Sequence, residues 1–157
     1  MSDPAKLPPI VLQGLPHAAL DLLREIPHAA ALDDPAAGER LFPAPGTEES
    51  LCDDWKSLVE PDLQQAFLSA RQIVAADLAA VEAGNKGVRL TIPRHHVDAW
   101  LSALNQVRLA LAAAHNLGEK EINAHEFYEE GSPISDALLR IHFFGHLQET
   151  LLASLEQ

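Results

Sequence analysis

Apolar residues recur along this chain at two periods, and the longest run at the helical period lies between Pro93 and Asn116. There Val97, Trp100, Leu104, Val107 and Leu111 alternate spacings of three and four, which sets them on one side of a helix and predicts a buried seam. Pro93 as a starting residue, with His115 and Gly118 as stop signals, bounds a helix of about 24 residues and ~36 Å. An earlier, shorter helix starts at Pro16, repeats Leu20, Leu23 and Ile26, and stops at Pro27. Thr47 is an N-cap followed by Glu48 and Glu49, where the helix dipole favours negative charge, and Leu51, Trp55 and Leu58 share one face. Pro61 kinks or restarts that helix, and Leu63, Phe67, Ala70, Val74 and Val81 carry its stripe on to Gly84. Asn123, with Glu126 three residues later, marks one further short helix. Ser132 and Pro133 open the last, with Asp136 in its first turn and Leu138, Ile141, Phe144, Leu151 and Leu155 on an apolar side that Gln148 interrupts.

The second period is two. Val88, Leu90 and Ile92 alternate with Arg89 and Thr91, the pattern of a half-buried strand, and Ile10-Val11-Leu12, ended by Gly14, is its expected partner. Two short strands are marginal alone, so the pair must rest on helices. Between them, Asp33 to Thr47 is rich in Pro and Gly and reads as an ordered loop that Leu41 and Phe42 anchor to the core. The expected fold is therefore mainly α: a single domain over 1–157, with about five helices bundled around the long central one and a small two-stranded β element.

Composition narrows the setting. With 157 residues, 47% of them hydrophobic and 22% charged, the chain is sized for one core, and no apolar run approaches the ~20 residues of a membrane span. The start shows no basic region followed by an apolar block, so a cytoplasmic location is expected. A net charge of −12, from 23 acidic and 11 scattered basic residues, argues against nucleic acid and suits solubility or a basic partner. Cys52, the single cysteine, allows no intramolecular disulfide, CxxC pair or cysteine-rich zinc site, and its neighbours Asp53 and Asp54 disfavour a reactive thiolate.

Candidate chemistry is sparse. In HFFGHLQE, His142 and His146 project from one helix face with Glu149 three residues further on, and His125, Glu126 or Glu129 offers a further ligand for a metal. The competing reading is two helix-surface imidazoles, since no HExxH is present. Glu25-Ile-Pro-His28 has dimetal spacing but contains a helix-breaking proline, and His95 and His96, about 100° apart on a helix, cannot easily share an ion. Neither a GxSxG elbow nor a glycine-rich phosphate loop occurs. No cofactor is expected.

Asn105 and Arg108 fall on one side of the central helix beside its seam, and with Trp100 they form the candidate binding set. The favoured account of these residues is structural. Arg108 is expected to be partly buried against a carboxylate such as Asp77 or Glu149, Asn105 to bond a neighbouring backbone, and Trp100 to lie in the core with its N–H on an acceptor.

The stretches WLSALNQVRLAL (Trp100 to Leu111), LFP (Leu41 to Pro43) and LQETLLASL (Leu147 to Leu155) resemble a bacterial domain-of-unknown-function family, number two thousand and seventeen, known mostly from actinobacteria. That resemblance implies no established enzymatic activity. It also implies a regulatory or proteolysis-linked role, since the genes tend to lie near the adaptor of the Clp protease. Redox sensing by a cysteine pair does not carry over to a chain with Cys52 alone. The expected function is that of a non-catalytic interaction or regulatory protein with a protein partner, homodimerisation being an addition because symmetric pairs are the commonest oligomers. The alternative is a metal-binding protein or metal-dependent enzyme using His142, His146 and Glu149.

Overall fold

The computed structural model describes residues 7–28, 53–54, 57–123 and 131–156. Strand β1 (Ile10–Leu15) leads into α1 (His17–Glu25) and a 3-10 turn at Ile26–His28. Helix α2 (Glu60–Ala79) is followed by β2 (Glu82–Gly84) and β3 (Gly87–Ile92). A 3-10 turn, Arg94–His96, runs into the central helix α3 (Val97–Ala114), and α4 (Glu119–Asn123) and α5 (Pro133–Leu155) complete the described chain. The mainly α architecture is as expected, but the β element has three strands rather than two, in the order β1-β3-β2.

Strand β3 sits in the middle because its alternation gives it a dry face: Val88, Leu90 and Ile92 are fully buried while Arg89 and Thr91 are exposed. It pairs antiparallel with β1, Ile10 opposite Ile92 and Leu12 opposite Leu90. Gly14 does not end β1. The strand continues to Leu15 through a register shift after Leu12, where Gly14 takes a φ of 69°. Nor does α2 reach Gly84; it stops at Ala79, and Glu82–Gly84 folds back on β3, with His17 Nε2 donating to the Gly84 carbonyl at 3.0 Å.

Gly87 is where these strands meet most tightly. Its φ is 99°, and a Cβ there would lie 2.7 Å from the Leu15 carbonyl oxygen, a backbone atom held by the sheet. Gly87→Ala is expected to destabilise the fold by about 2 kcal/mol through strain and this clash. A urea midpoint equal to wild type would contradict that.

The helices form for reasons visible in their caps. Pro61 restarts the chain as α2, since a proline in the first turn lacks only an N–H that has no helical partner there, and Ala70, Val74 and Leu78 are buried along the helix. In α3, four members of the expected seam are buried, Val97, Trp100, Leu104 and Val107, and Leu111 is half-buried. The helix has 18 residues, shorter than expected, because the turn after Pro93 is wound as 3-10, with the His96 N–H on the Pro93 carbonyl at 2.9 Å. Its end also differs: Asn116, at φ 51°, takes the left-handed position expected of Gly118. The Leu117 N–H reaches the Ala112 carbonyl at 2.7 Å and the Asn116 N–H that of Ala113 at 3.1 Å, a Schellman closure with Leu117 buried beneath it.

Helix α5 starts as expected, the Ser135 N–H donating to Ser132 Oγ at 3.1 Å, and Leu138, Ile141, Phe144 and Leu151 are buried. Leu155 and Leu58, both placed on apolar faces by spacing, are 43% and 72% exposed. Asn123 is the last residue of α4, and the helix expected after it, with Glu126, lies outside the described residues. The expected loop anchors Leu41 and Phe42, the helix start at Thr47, Glu48 and Glu49 with Leu51 and Trp55, and Cys52 lie outside the described residues. Helix α3 packs against α2 on one side and α5 on the other, so its polar side chains are held between helices.

Candidate functional site

Arg108 projects from α3 towards α5. Its Nη1 donates to Gln148 Oε1 at 2.6 Å, and Gln148 Nε2 donates to the Leu101 carbonyl at 3.3 Å, so a neutral amide clamps the guanidinium. Space for it comes from Gly145, where a Cβ would lie 3.3 Å from Arg108 Cζ, 3.4 Å from Nη2 and 3.5 Å from Nε. Because Cζ is the nearest of the three, the glycine lies against the flat face of the guanidinium. Arg108 Nε is buried and has no hydrogen-bond acceptor among the described residues. The expected carboxylate partners are elsewhere: Asp77 is bonded to His96 and Trp100, and Glu149 is exposed, about 100° around α5 from Gln148.

Arg108 lines a cavity of about 470 Å³ together with Asn105, Leu109, Ala112, Leu117, Gly118, Glu119, Ile122 and Ile141. Such a volume is in the range of small-ligand sites. Asn105 is exposed, so both polar residues reach the same wall one helical turn apart. The amide that is buried on α3 belongs to the next residue: Gln106 Nε2 donates to the Phe67 carbonyl at 3.2 Å and to Ser102 Oγ at 3.3 Å. Trp100 does not join the pocket; it is fully buried.

A second polar cluster faces α2. Asp77 Oδ2 accepts from Trp100 Nε1 at 2.8 Å, and His96 Nδ1 lies 3.0 Å and 2.9 Å from the two Asp77 oxygens. One carboxylate thus orients an imidazole and satisfies the indole of the core. Among the described residues Asp77 is the only side chain bonded to the His96 ring, and the His95 ring packs edge-on at 4.3 Å. This cluster fixes α3 to α2. Sequence reading missed Asp77 as the acceptor, although Trp100 required one and Asp77 sits beside Val74 and Leu78 on the inner side of α2.

The model described as Domain of unknown function (DUF2017) matches residues 9–155. The chain belongs to this family. No curated protein and no solved structure matches it. The match takes in all the described helices and strands of this DUF2017 chain, including the α3 and α5 stretches that carry the resemblance.

The remaining candidates in this DUF2017 member stay apart. His142, His146 and Glu149 are exposed on α5, and His142 Nε2 donates to the Ile122 carbonyl at 3.0 Å. Among the described residues no three His, Cys, Asp or Glu side chains are grouped closely enough to hold an ion. His125, Glu126 and Glu129 lie outside those residues. Glu25 accepts from Arg140 Nε at 2.9 Å and Nη2 at 3.2 Å, joining α1 to α5. That hydrogen bonding outweighs the opposing effect of burial and, with the charges of Glu25 and Asp136 adding to it, holds the Arg140 guanidinium above its usual range.

Proposed function

We propose that this DUF2017 protein works without catalysis, as an interaction or regulatory protein that offers the Arg108 pocket to a protein partner in the cytoplasm. One observation carries the reading: a guanidinium fixed by a neutral amide, with a buried Nε lacking an acceptor among the described residues, on the wall of an open cavity. A structural arginine between helices ordinarily meets a carboxylate, and an arginine left with donors to spare is suited to accept one from a binding partner. The finer form of the reading is a role beside Clp proteolysis, which the family resemblance implies.

Cross-linked capture from native lysate tests it with wild type, Arg108→Glu and Glu149→Gln. The partner is expected to be enriched about tenfold over a scrambled-surface control by wild type and Glu149→Gln, and lost from Arg108→Glu, because charge reversal at a contact typically removes at least that much binding. Equal recovery by wild type and Arg108→Glu would take the pocket out of the interaction.

A further inference from the structure

We infer that the Arg108 pocket takes a single carboxylate carried on an apolar body, an inference that rests on reading this cavity as the docking site. A guanidinium is planar and cationic, and its N–H groups suit the oxygens of a carboxylate. Nη1 is committed to Gln148 and Nε is shut away from solvent, which leaves Nη2, without an acceptor among the described residues, to meet one carboxylate oxygen. Gly145 supports the face of the guanidinium, so this donor is held in a defined plane. Asn105, one turn away and exposed, supplies an amide that can donate to the second oxygen or bond an adjacent peptide group.

The rest of the cavity sets the body and the charge of the ligand. Leu109, Ile122 and Ile141 give it apolar walls, which favour an aliphatic chain over a sugar or a nucleotide. Glu119 lines the same cavity as Arg108. A monoanion is tolerated beside it, whereas a phosphate dianion meets both this carboxylate and a protein of net charge −12. Two sources present this chemistry: a free aliphatic acid, and the carboxylate end of a chain whose last residue is apolar.

Isothermal titration of the full chain separates them, using octanoate, octanamide, inorganic phosphate, and a short peptide ending in leucine as the free acid or the amide. Octanoate or the free-acid peptide is expected to bind one to one, and about tenfold or more tighter than its amide, the worth of a charge-assisted hydrogen bond. Phosphate is expected to bind more weakly than either acid. Octanoate as the tighter acid identifies a free acid as the source, and the peptide as the tighter acid identifies a chain terminus.

Arg108→Met is expected to abolish the preference for acid over amide. Asn105→Asp, at an exposed position that leaves the helix packing intact, is expected to weaken acid binding about tenfold by placing a like charge beside the ligand. The inference is overturned if no acid saturates the protein, if acid and amide bind alike, if phosphate binds more tightly than both acids, or if folded Asn105→Asp binds octanoate and the peptide as wild type does. The two readings fail separately. Arg108-dependent capture of a partner that neither acid displaces removes the carboxylate chemistry alone; acid binding that needs Arg108, with partner recovery unchanged by Arg108→Glu, removes the interaction reading alone.

Discussion

Trp100→Ala is expected to lower the unfolding free energy by about 4 kcal/mol, the range found for truncating a large buried aromatic. The indole is fully buried in the core that Val74, Leu90, Leu104, Phe144 and Leu151 share, so its removal opens a space bordered by three helices and the sheet. The same substitution withdraws a donor from Asp77. Trp100→Phe keeps most of the ring and deletes the N–H, and is expected to lose about 1 kcal/mol. Urea unfolding at constant m measures both. A loss under about 1 kcal/mol for Trp100→Ala would mean that the ring is not a core element.

Asp77→Ala is the second large effect, expected at about 3 kcal/mol. It leaves the Trp100 N–H buried without an acceptor and frees His96 from the carboxylate that orients it, and a stranded buried donor alone accounts for ~1–3 kcal/mol. Asp77, at 9% side-chain exposure, is well shielded from replacement by water, while His96 at 24% is less so. Asp77→Asn retains one acceptor and should lose about half as much. In a double-mutant cycle with Trp100→Phe, Asp77→Ala should show a coupling of about 1 kcal/mol, as contacting residues do. Additive losses would place the two side chains in separate roles.

Much of the architecture was legible because periodicity reports burial. The α3 seam, the buried stripe of α5 and the alternation of β3 all follow from apolar spacing that faces a single core. Strand β2 was not legible for the converse reason: Glu82, Ala83 and Gly84 are all exposed, and its pairing with β3 is made by backbone groups that leave no pattern in the side chains. At the pocket, spacing placed Asn105 and Arg108 on one side of α3 but misassigned what they meet. The buried amide is Gln106 rather than Asn105, and the partner of Arg108 is Gln148 rather than Glu149. Each difference is one residue, about 100° of helix, which the lean of one helix against another decides and a single helix's pattern does not record. Leu117, Gly118, Glu119 and Ile122 reach the pocket through the turn at Asn116, whose closure depends on a left-handed residue that composition alone would assign to the nearby glycine.

Arg94, at the foot of α3, donates from Nε to the Pro8 carbonyl at 2.8 Å and from Nη1 to the Ser154 carbonyl at 3.0 Å. One side chain therefore holds the approach to the first strand and the last turn of the final helix. Fraying in such a fold is shared: when the end of α5 peels away, the guanidinium loses half of what fixes it over Pro8, and loosening near Pro8 does the same to α5. Segments 146 residues apart in sequence thus belong to one opening unit, and local unfolding at either edge is felt at the other before it reaches the core.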